Sequence, residues 1–92
     1  MKIEYDPSKS RKNADERDLP FDMVADFEWE TATTVPDIRF KYPEARLVST
    51  GFIGNRLHVA CYTPIEGGVR IISFRKANSR EIERYVEKTT HR

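Results

Sequence analysis

The sequence has few of the residues that build disulfide-bonded, zinc-bound or membrane-spanning proteins. It contains one cysteine, Cys61, so an intrachain disulfide is impossible, and its two histidines lie too far apart for a compact zinc site. No stretch approaches the roughly 18 apolar residues that a membrane-spanning helix needs. Residues 1–6 contain no apolar run, so we expect no signal peptide and a cytoplasmic location.

Apolar residues are scarce as well. They make up 38 % of the chain, whereas charged residues make up 34 %, and these fractions are low and high, respectively, for a globular protein. A chain of 92 residues forms one domain, and burial of roughly 60–65 % of its surface leaves a thin core. We therefore expect residues 1–92 to be a single domain that a partner can stabilise.

The motifs of cofactor-dependent chemistry are also missing from the sequence. It has no glycine-rich phosphate loop, no nucleophile elbow and no zinc signature, and the Gly67-Gly68 pair is typical of a turn. We therefore expect the protein to use no cofactor and no metal ion.

The net charge of +1 conceals an uneven distribution along the chain. Residues 1–37 carry five basic and ten acidic side chains, whereas residues 38–68 carry four and two. Residues 69–92 carry seven and three, which makes this part net +4. Since phosphate binding follows local potential, the C-terminal part can bind RNA. The alternative is that these charges form a solvated helix face.

Alternation and turn residues predict the element order β-α-α-β-β-β-β-α. Residues 38–42 also alternate between apolar and polar side chains. This order predicts an α+β fold with a mostly antiparallel sheet of four or five strands, two N-terminal helices and one C-terminal helix. We expect the helices on one sheet face and an open, partly polar face on the other. The predicted strands are residues 2–5, 31–35, 45–53, 56–63 and 69–76, and the predicted helices are 9–18, 21–29 and 79–89.

Two local signals fix the boundaries of these elements most clearly. The Gly54-Asn55 pair lies between two strand-like runs and predicts a tight hairpin turn. Asn78 and Glu81 have the spacing of a capping box, which predicts that the last helix begins directly after the last strand.

Alternation in the last two strands suggests a reactive surface. It places His58 and Tyr62 on the less apolar side of one strand, and Ser73 and Arg75 on that of the next. If both sets lie on the open face, an imidazole, a phenol, a hydroxyl and a guanidinium converge there. Such a set suits RNA cleavage without a metal, which needs proton transfer and stabilisation of the phosphorane charge. The alternative is a polar sheet face with a structural histidine.

The candidate site residues fall into two groups. Guanidinium groups bind phosphate bidentately, and aromatic side chains can stack on exposed bases. His58 is the first candidate for proton transfer, followed by Tyr62 and Glu44. In the last strand, alternation groups Arg70 with the apolar Ile72 and Phe74. The candidate catalytic residues are His58, Arg75, Arg46, Tyr62 and Glu44, and the candidate residues for RNA or phosphate binding are Arg70, Ser73, Lys76, Arg80 and Arg84.

Several fragments resemble the BrnT family, the toxin half of a bacterial type II toxin–antitoxin pair. The most specific fragment is Arg70-Ile71-Ile72-Ser73-x-Arg75-Lys76-Ala77-x-x-Arg80-Glu81. It is preceded by Asp37-x-Arg39-x-x-Tyr42-x-Glu44-x-Arg46, and by family-like stretches at 3–13 and 19–29. The order and spacing of these fragments extend the resemblance over nearly the whole chain.

This resemblance implies a RelE-like fold and a ribonuclease activity that arrests translation. It also implies neutralisation by a BrnA-type antitoxin, whose own DNA-binding part represses the operon, so that the toxin contacts DNA only indirectly. The family motifs match most securely at five positions, which are Arg46, Arg70, Ser73, Arg75 and Lys76.

The chain departs from the family pattern at one place. Glu16-Arg17-Asp18 stands where many members have Lys-His-Gly, so the family histidine is absent. Three functions remain open. The first is a ribonuclease toxin, the second is a non-catalytic module that binds its antitoxin and acts as a corepressor, and the third is a small interaction domain with no RNA contact.

Overall fold

The computed structural model describes residues 1–90, which form a five-stranded sheet flanked by helices. The strand order is β1-β5-β4-β3-β2, with β1 parallel to β5 and every other neighbouring pair antiparallel. The predicted α+β class and mostly antiparallel sheet are therefore confirmed. The strands are β1 (Lys2–Glu4), β2 (Thr33–Pro36), β3 (Leu47–Ile53), β4 (Arg56–Ile65) and β5 (Gly68–Lys76).

Two α-helices, α1 (Pro7–Arg17) and α2 (Ser79–Thr90), stand at the two ends of the chain. The residues predicted as a second N-terminal helix form two 3₁₀ segments instead, Phe21–Asp26 and Trp29–Thr31. The reason lies in the spacing of the buried side chains. Phe21, Val24 and Phe27 recur every three residues, which matches the three residues per turn of a 3₁₀-helix.

The main hydrophobic core lies on the sheet face covered by the 3₁₀ segments, here called the first face. Phe74 of β5 is its most enclosed large side chain, with 1 % exposure. Tyr5, directly after β1, packs edge-to-face against Phe21 at 5.9 Å, and Ile3 of β1 packs against the same core. The buried members of this core are Leu19, Phe21, Val24, Phe27, Ala60, Tyr62, Val69, Ile71 and Phe74.

Helix α2 covers part of the opposite, second face. Its Tyr85 packs edge-to-face on Phe52 at 5.5 Å and shares a smaller core with Leu57, Val59 and Ala77. The prediction that all helices lie on one face is therefore wrong. The N-terminal segments already occupy the first face, so the apolar stripe of α2 is buried on the second. The rest of the second face, beyond α2, is called the open face below.

Both predicted boundary signals are confirmed. The β3–β4 hairpin turns at Gly54, whose φ of 61° is in the left-handed region that glycine adopts at no steric cost. At the start of α2, Asn78 Oδ1 accepts from Glu81 N–H and Glu81 Oε1 accepts from Asn78 N–H, both at 2.9 Å. Within residues 1–90, no helix is both long and apolar enough to cross a membrane.

Helix α1 is docked by hydrogen bonds, since it has almost no apolar face. The Ser10 hydroxyl accepts from Phe21 N–H at 2.8 Å. The Asn13 amide donates to the carbonyls of Leu19 at 2.7 Å and Phe74 at 2.9 Å. The pairing of β1 with β5 ends at Arg70. Beyond that point, the Phe74 carbonyl accepts a hydrogen bond from the Asn13 side chain instead of from a neighbouring strand.

We predict that Asn13→Ala lowers the free energy of unfolding by about 1–3 kcal/mol, because it leaves two partly buried carbonyls without their donor. Denaturant unfolding monitored by circular dichroism measures the change. Glu16→Ala, at an exposed position of the same helix, is the matched control and should change stability by less than about 0.5 kcal/mol. Equal stability of the two variants would contradict the docking role of Asn13.

Candidate functional site

A β-bulge in β5 determines which side chains reach the open face. Cys61 pairs with Ser73, but the next residue of β4, Tyr62, pairs with Ile71. Ile72 is therefore an extra residue without a partner on β4, and the alternation of β5 changes phase there. Side chains on either side of a bulge must consequently be assigned to faces from the register and not from simple alternation.

The bulge brings three predicted site residues onto the open face. Ser73 shares that face with its partner Cys61, and Arg75 shares it with Val59. Beyond the bulge, Arg70 pairs with Thr63 and points to the same side. The prediction that Arg70 is grouped with Ile72 and Phe74 is therefore wrong, since Phe74 lies in the main core.

His58 and Tyr62 lie on the first face, away from Ser73. His58 is 4 % exposed, stacks on Phe74 at 5.5 Å, and hydrogen bonds through Nδ1 to the Arg56 carbonyl at 2.9 Å. Tyr62 is also buried, and its hydroxyl lies 2.7 Å from that of Ser49. The predicted convergence of imidazole, phenol, hydroxyl and guanidinium on one open face is therefore wrong.

Arg75 is held in place by a carboxylate at the start of α2. Its two terminal nitrogens donate to the two Glu81 carboxylate oxygens at 2.7 and 2.8 Å. These bonds raise the pKa of Arg75 and lower the pKa of Glu81. The charge of Arg39 opposes the rise in the Arg75 pKa. Arg75 is thus a fixed cation at the edge of the open face.

The connection between β2 and β3, residues 37–46, forms a closed loop beside this cation. Asp37 N–H donates to the Arg46 carbonyl at 2.8 Å and joins the two ends. The Asp37 carboxylate accepts two bonds from the Arg39 guanidinium, both at 2.9 Å, and one from the Tyr42 hydroxyl at 3.3 Å. The bonds from Arg39 hold the pKa of Asp37 well below its usual range.

These contacts explain why residues 38–42 form no strand although they alternate. The Asp37 side chain bonds to groups two and five residues ahead and folds the segment back on itself. Pro43 also has no backbone N–H to donate to a neighbouring strand, so a run that ends there pairs poorly. The loop therefore carries its side chains beside the sheet instead of adding a strand to it.

Arg46 closes the loop and differs from the other arginines in its partners. Its guanidinium carbon lies 3.9 Å from the centre of the Tyr42 ring, a cation–π geometry. Within residues 1–90 it forms no ion pair, and its Nε is enclosed without a hydrogen-bond acceptor. In the described part of the chain, its positive charge is therefore not neutralised by a carboxylate.

Cys61 marks the junction of the loop with the open face. Its Sγ lies 3.8 Å from Asp37 Oδ2, and burial, with the Asp37 charge, raises the pKa of the thiol. Arg39 is bound to the same Asp37 carboxylate, and the Arg46 carbonyl accepts from Asp37 N–H, so both residues lie near Cys61. The loop thus lies next to the Cys61–Ser73 pair. We call the resulting surface the arginine face, formed by Arg39, Arg46, Arg70 and Arg75 with Ser73.

The remaining predicted site residues lie around or away from this surface. Lys76 pairs with His58 and so lies at the end of β5 on the side of the first face. Glu44 is exposed and lines the same open depression as Tyr42 and Arg46. Arg80 is exposed on α2. The structure therefore brings Arg46, Arg70, Ser73 and Arg75 onto one side, with Glu44 at its margin.

Arg84 belongs to a separate groove between α2 and the edge of the sheet. The groove has a volume of about 140 Å³, and Arg84 lines it together with Lys88, Tyr85 and Val35. Its charge also helps to lower the pKa of Glu81. Arg84 therefore borders the arginine face through Glu81 and contributes to the same positive potential.

Sequence reasoning did not select Arg39 and Asp37 as site residues. The signal was present in the motif Asp37-x-Arg39-x-x-Tyr42, in which an acid, a base and a phenol recur within six residues. A short acid–base spacing of this kind can form a local ion pair that shapes a loop.

Comparison with protein-family models gives a match over residues 5–81, to a family described as ribonuclease toxin, BrnT, of type II toxin–antitoxin system. The chain belongs to the BrnT family. A search of curated proteins finds no match. The matched range includes every residue of the arginine face and ends at Glu81, the partner of Arg75. Membership of a type II system implies an antitoxin partner.

We predict that His58 makes the stability of the protein pH-dependent. The Arg56 carbonyl can only accept, so Nδ1 carries the proton, and burial lowers the pKa of His58. The unfolded chain therefore binds a proton more readily near pH 6.5 than the folded protein does. This contribution to stability is complete above that pH and is lost as the pH falls through the lowered folded-state pKa.

Denaturant unfolding at pH 8 and at pH 5.5 tests this expectation. His58→Asn should be less stable at pH 8 but should lose less stability than the wild type between the two values. Lys12→Gln, at an exposed position of α1, leaves the buried imidazole in place and should retain the wild-type dependence. An unchanged dependence in His58→Asn would show that His58 is not the responsible group.

Proposed function

We propose that this BrnT toxin is an endoribonuclease that cleaves RNA on the arginine face without a metal ion. The observation that supports the proposal is the placement of Arg46, Arg70, Ser73 and Arg75 on one open side, in a chain of a ribonuclease toxin family. The 2′-hydroxyl gives its proton to a base as its oxygen attacks the adjacent phosphorus, the bond to the 5′-oxygen breaks, that oxygen takes up a proton from the protonated base or from water, and a 2′,3′-cyclic phosphate remains. The guanidinium groups supply the positive charge that a metal ion provides in other nucleases.

We assign the arginines different roles in phosphate binding according to their partners in the structure. Arg75 and Arg39 are each held by a carboxylate in a bidentate geometry, so they are preorganised and need little rearrangement when charge develops on the phosphate. Arg46 has no carboxylate partner within residues 1–90. It is therefore the cation that gains most from a phosphate, and we assign it the direct phosphate contact.

Proton transfer is assigned to Glu44 in this proposal. His58 and Tyr62 are enclosed in the core, where an RNA hydroxyl cannot approach them. Glu44 is exposed beside Arg46 and Tyr42. A carboxylate at this margin can accept the proton of the 2′-hydroxyl while the guanidinium groups bind the phosphate.

The biological role follows from the family. We propose that RNA cleavage inhibits translation, that the fold is RelE-like, and that a BrnA-type antitoxin neutralises the toxin and carries the contact with DNA. The missing family histidine favours the second function, a non-catalytic corepressor. The position at Glu16-Arg17-Asp18 is on and just after α1, however, and the arginine face contains no residue from that helix. Catalysis is therefore the better supported of the two.

We predict that Arg46→Ala and Arg75→Ala each reduce RNA cleavage by on the order of 10²–10³-fold, because each removes a donor to the developing phosphate charge. Cleavage of a labelled RNA by purified toxin in EDTA measures the effect. Lys76→Ala is the matched control, since this neighbouring cation points to the other side of the sheet. A large loss in Lys76→Ala with none in Arg75→Ala would place the site on the opposite face.

A second prediction separates the toxin from the corepressor. Induction of the wild-type protein without its antitoxin should arrest growth and protein synthesis, and co-expression of a BrnA-type antitoxin should restore both. Arg46→Ala should be harmless but should still bind the antitoxin in a pull-down. Normal growth on induction of the wild type, together with antitoxin binding, would favour the corepressor.

A further inference from the structure

Phe40 has an exposure that the fold does not explain. Its side chain is 70 % exposed, and no other aromatic residue within positions 1–90 is in the exposed class. It lies in the middle of loop 37–46, between Arg39 and Lys41. An aromatic ring held in solvent stabilises neither core, so its surface is available for a contact with another molecule.

The surroundings of this ring are cationic and aromatic. Phe40 meets Tyr42 edge-to-face at 6.0 Å, and the Arg46 guanidinium lies 3.9 Å above the Tyr42 ring. These residues line an open depression of about 450 Å³. Across this surface, the exposed ring of Phe40 contacts the ring of Tyr42, which in turn contacts Arg46, a cation without a carboxylate partner within residues 1–90.

The loop is also held in a defined shape. Asp37 joins its ends through Arg46 and fixes its interior through Arg39 and Tyr42. A ring on such a loop is presented without the entropy loss that ordering a flexible segment would require. The neighbouring Arg39 guanidinium is bound by Asp37, so it helps to hold the loop, and Arg46 is the loop cation without a carboxylate partner within residues 1–90.

We propose that loop 37–46 binds a nucleobase of single-stranded RNA, which stacks on Phe40 while the adjacent phosphate is bound by Arg46. The proposal rests on the proposed function for RNA as the ligand. An aromatic surface beside guanidinium groups is the usual means of binding unpaired bases. The exposed Ile38 nearby is compatible with a protein partner, but the core of a protein interface is depleted of charge, whereas Phe40 lines the same depression as Lys41 and Arg46.

The test measures affinity for two uncleavable 2′-O-methyl oligonucleotides, one complete and one with abasic sites, by fluorescence anisotropy. Phe40→Leu should weaken binding of the complete strand roughly 5- to 150-fold, the range for loss of one stacked base. Phe40→Trp should restore it. Neither variant should change binding of the abasic strand, and Phe40→Leu should leave the salt dependence unchanged, because phosphate contacts set that slope.

Val86→Ala, which truncates a partly exposed apolar residue on α2, is the matched control and should bind the complete strand as the wild type does. Equal binding of the complete strand by Phe40→Leu and wild type would overturn the inference, as would an equal loss on both strands. Loss of affinity for a BrnA-type antitoxin with unchanged RNA binding would make the loop a protein-docking surface and would also overturn it.

The same experiment distinguishes this inference from the proposed function. Wild-type protein that cleaves RNA, with Phe40→Leu cleaving and binding equally well, would leave the proposed function intact and reject the base contact. Base-dependent binding through Phe40 without any cleavage of ordinary RNA would retain the base contact and reject the ribonuclease. Absence of RNA binding by the wild type would reject both.

Discussion

The arginine face depends on one unpaired residue in the sheet. Without the bulge at Ile72, alternation would place Arg70 in the main core, opposite Ser73 and Arg75. The extra residue changes the phase of β5, so that Ile71 and Phe74 are both buried, and polar side chains on either side of the bulge reach the same surface. Bulges are common next to active sites because the extra residue changes the direction in which nearby side chains point.

The cations of that surface are of two kinds. Arg39 and Arg75 are each held by a carboxylate in a bidentate geometry, Arg70 lies 3.5 Å from the Glu4 carboxylate, and Arg46 stacks on an aromatic ring. The charge of an arginine that is bound to a carboxylate is partly offset by that carboxylate. An arginine that stacks on an aromatic ring is not neutralised, so it can bind an anionic ligand more strongly. The chain as a whole is nearly neutral, with a net charge of +1. Its capacity to bind an anion therefore comes from local arrangement and not from overall charge.

Much of the fold could be predicted because its signals are local. The Gly54 turn and the capping box of Asn78 and Glu81 each depend on a few adjacent residues, and both are confirmed. The face of each site residue could not be predicted, because a bulge is visible only in the pairing of two strands. The prediction of an α-helix over residues 21–29 was wrong because a three-residue spacing of buried side chains also suits a 3₁₀-helix, and spacing alone does not distinguish the two.

Glu81 couples the start of α2 to the position of a site cation. One carboxylate receives the backbone N–H of Asn78 and both terminal nitrogens of Arg75, so it begins a helix and orients a site cation at once. A neutral replacement would preserve the cap but release the cation, and a shorter acid would reach only one of them. Positions 75, 78 and 81 are therefore physically coupled, because a substitution at Glu81 alters the contacts of both Arg75 and Asn78.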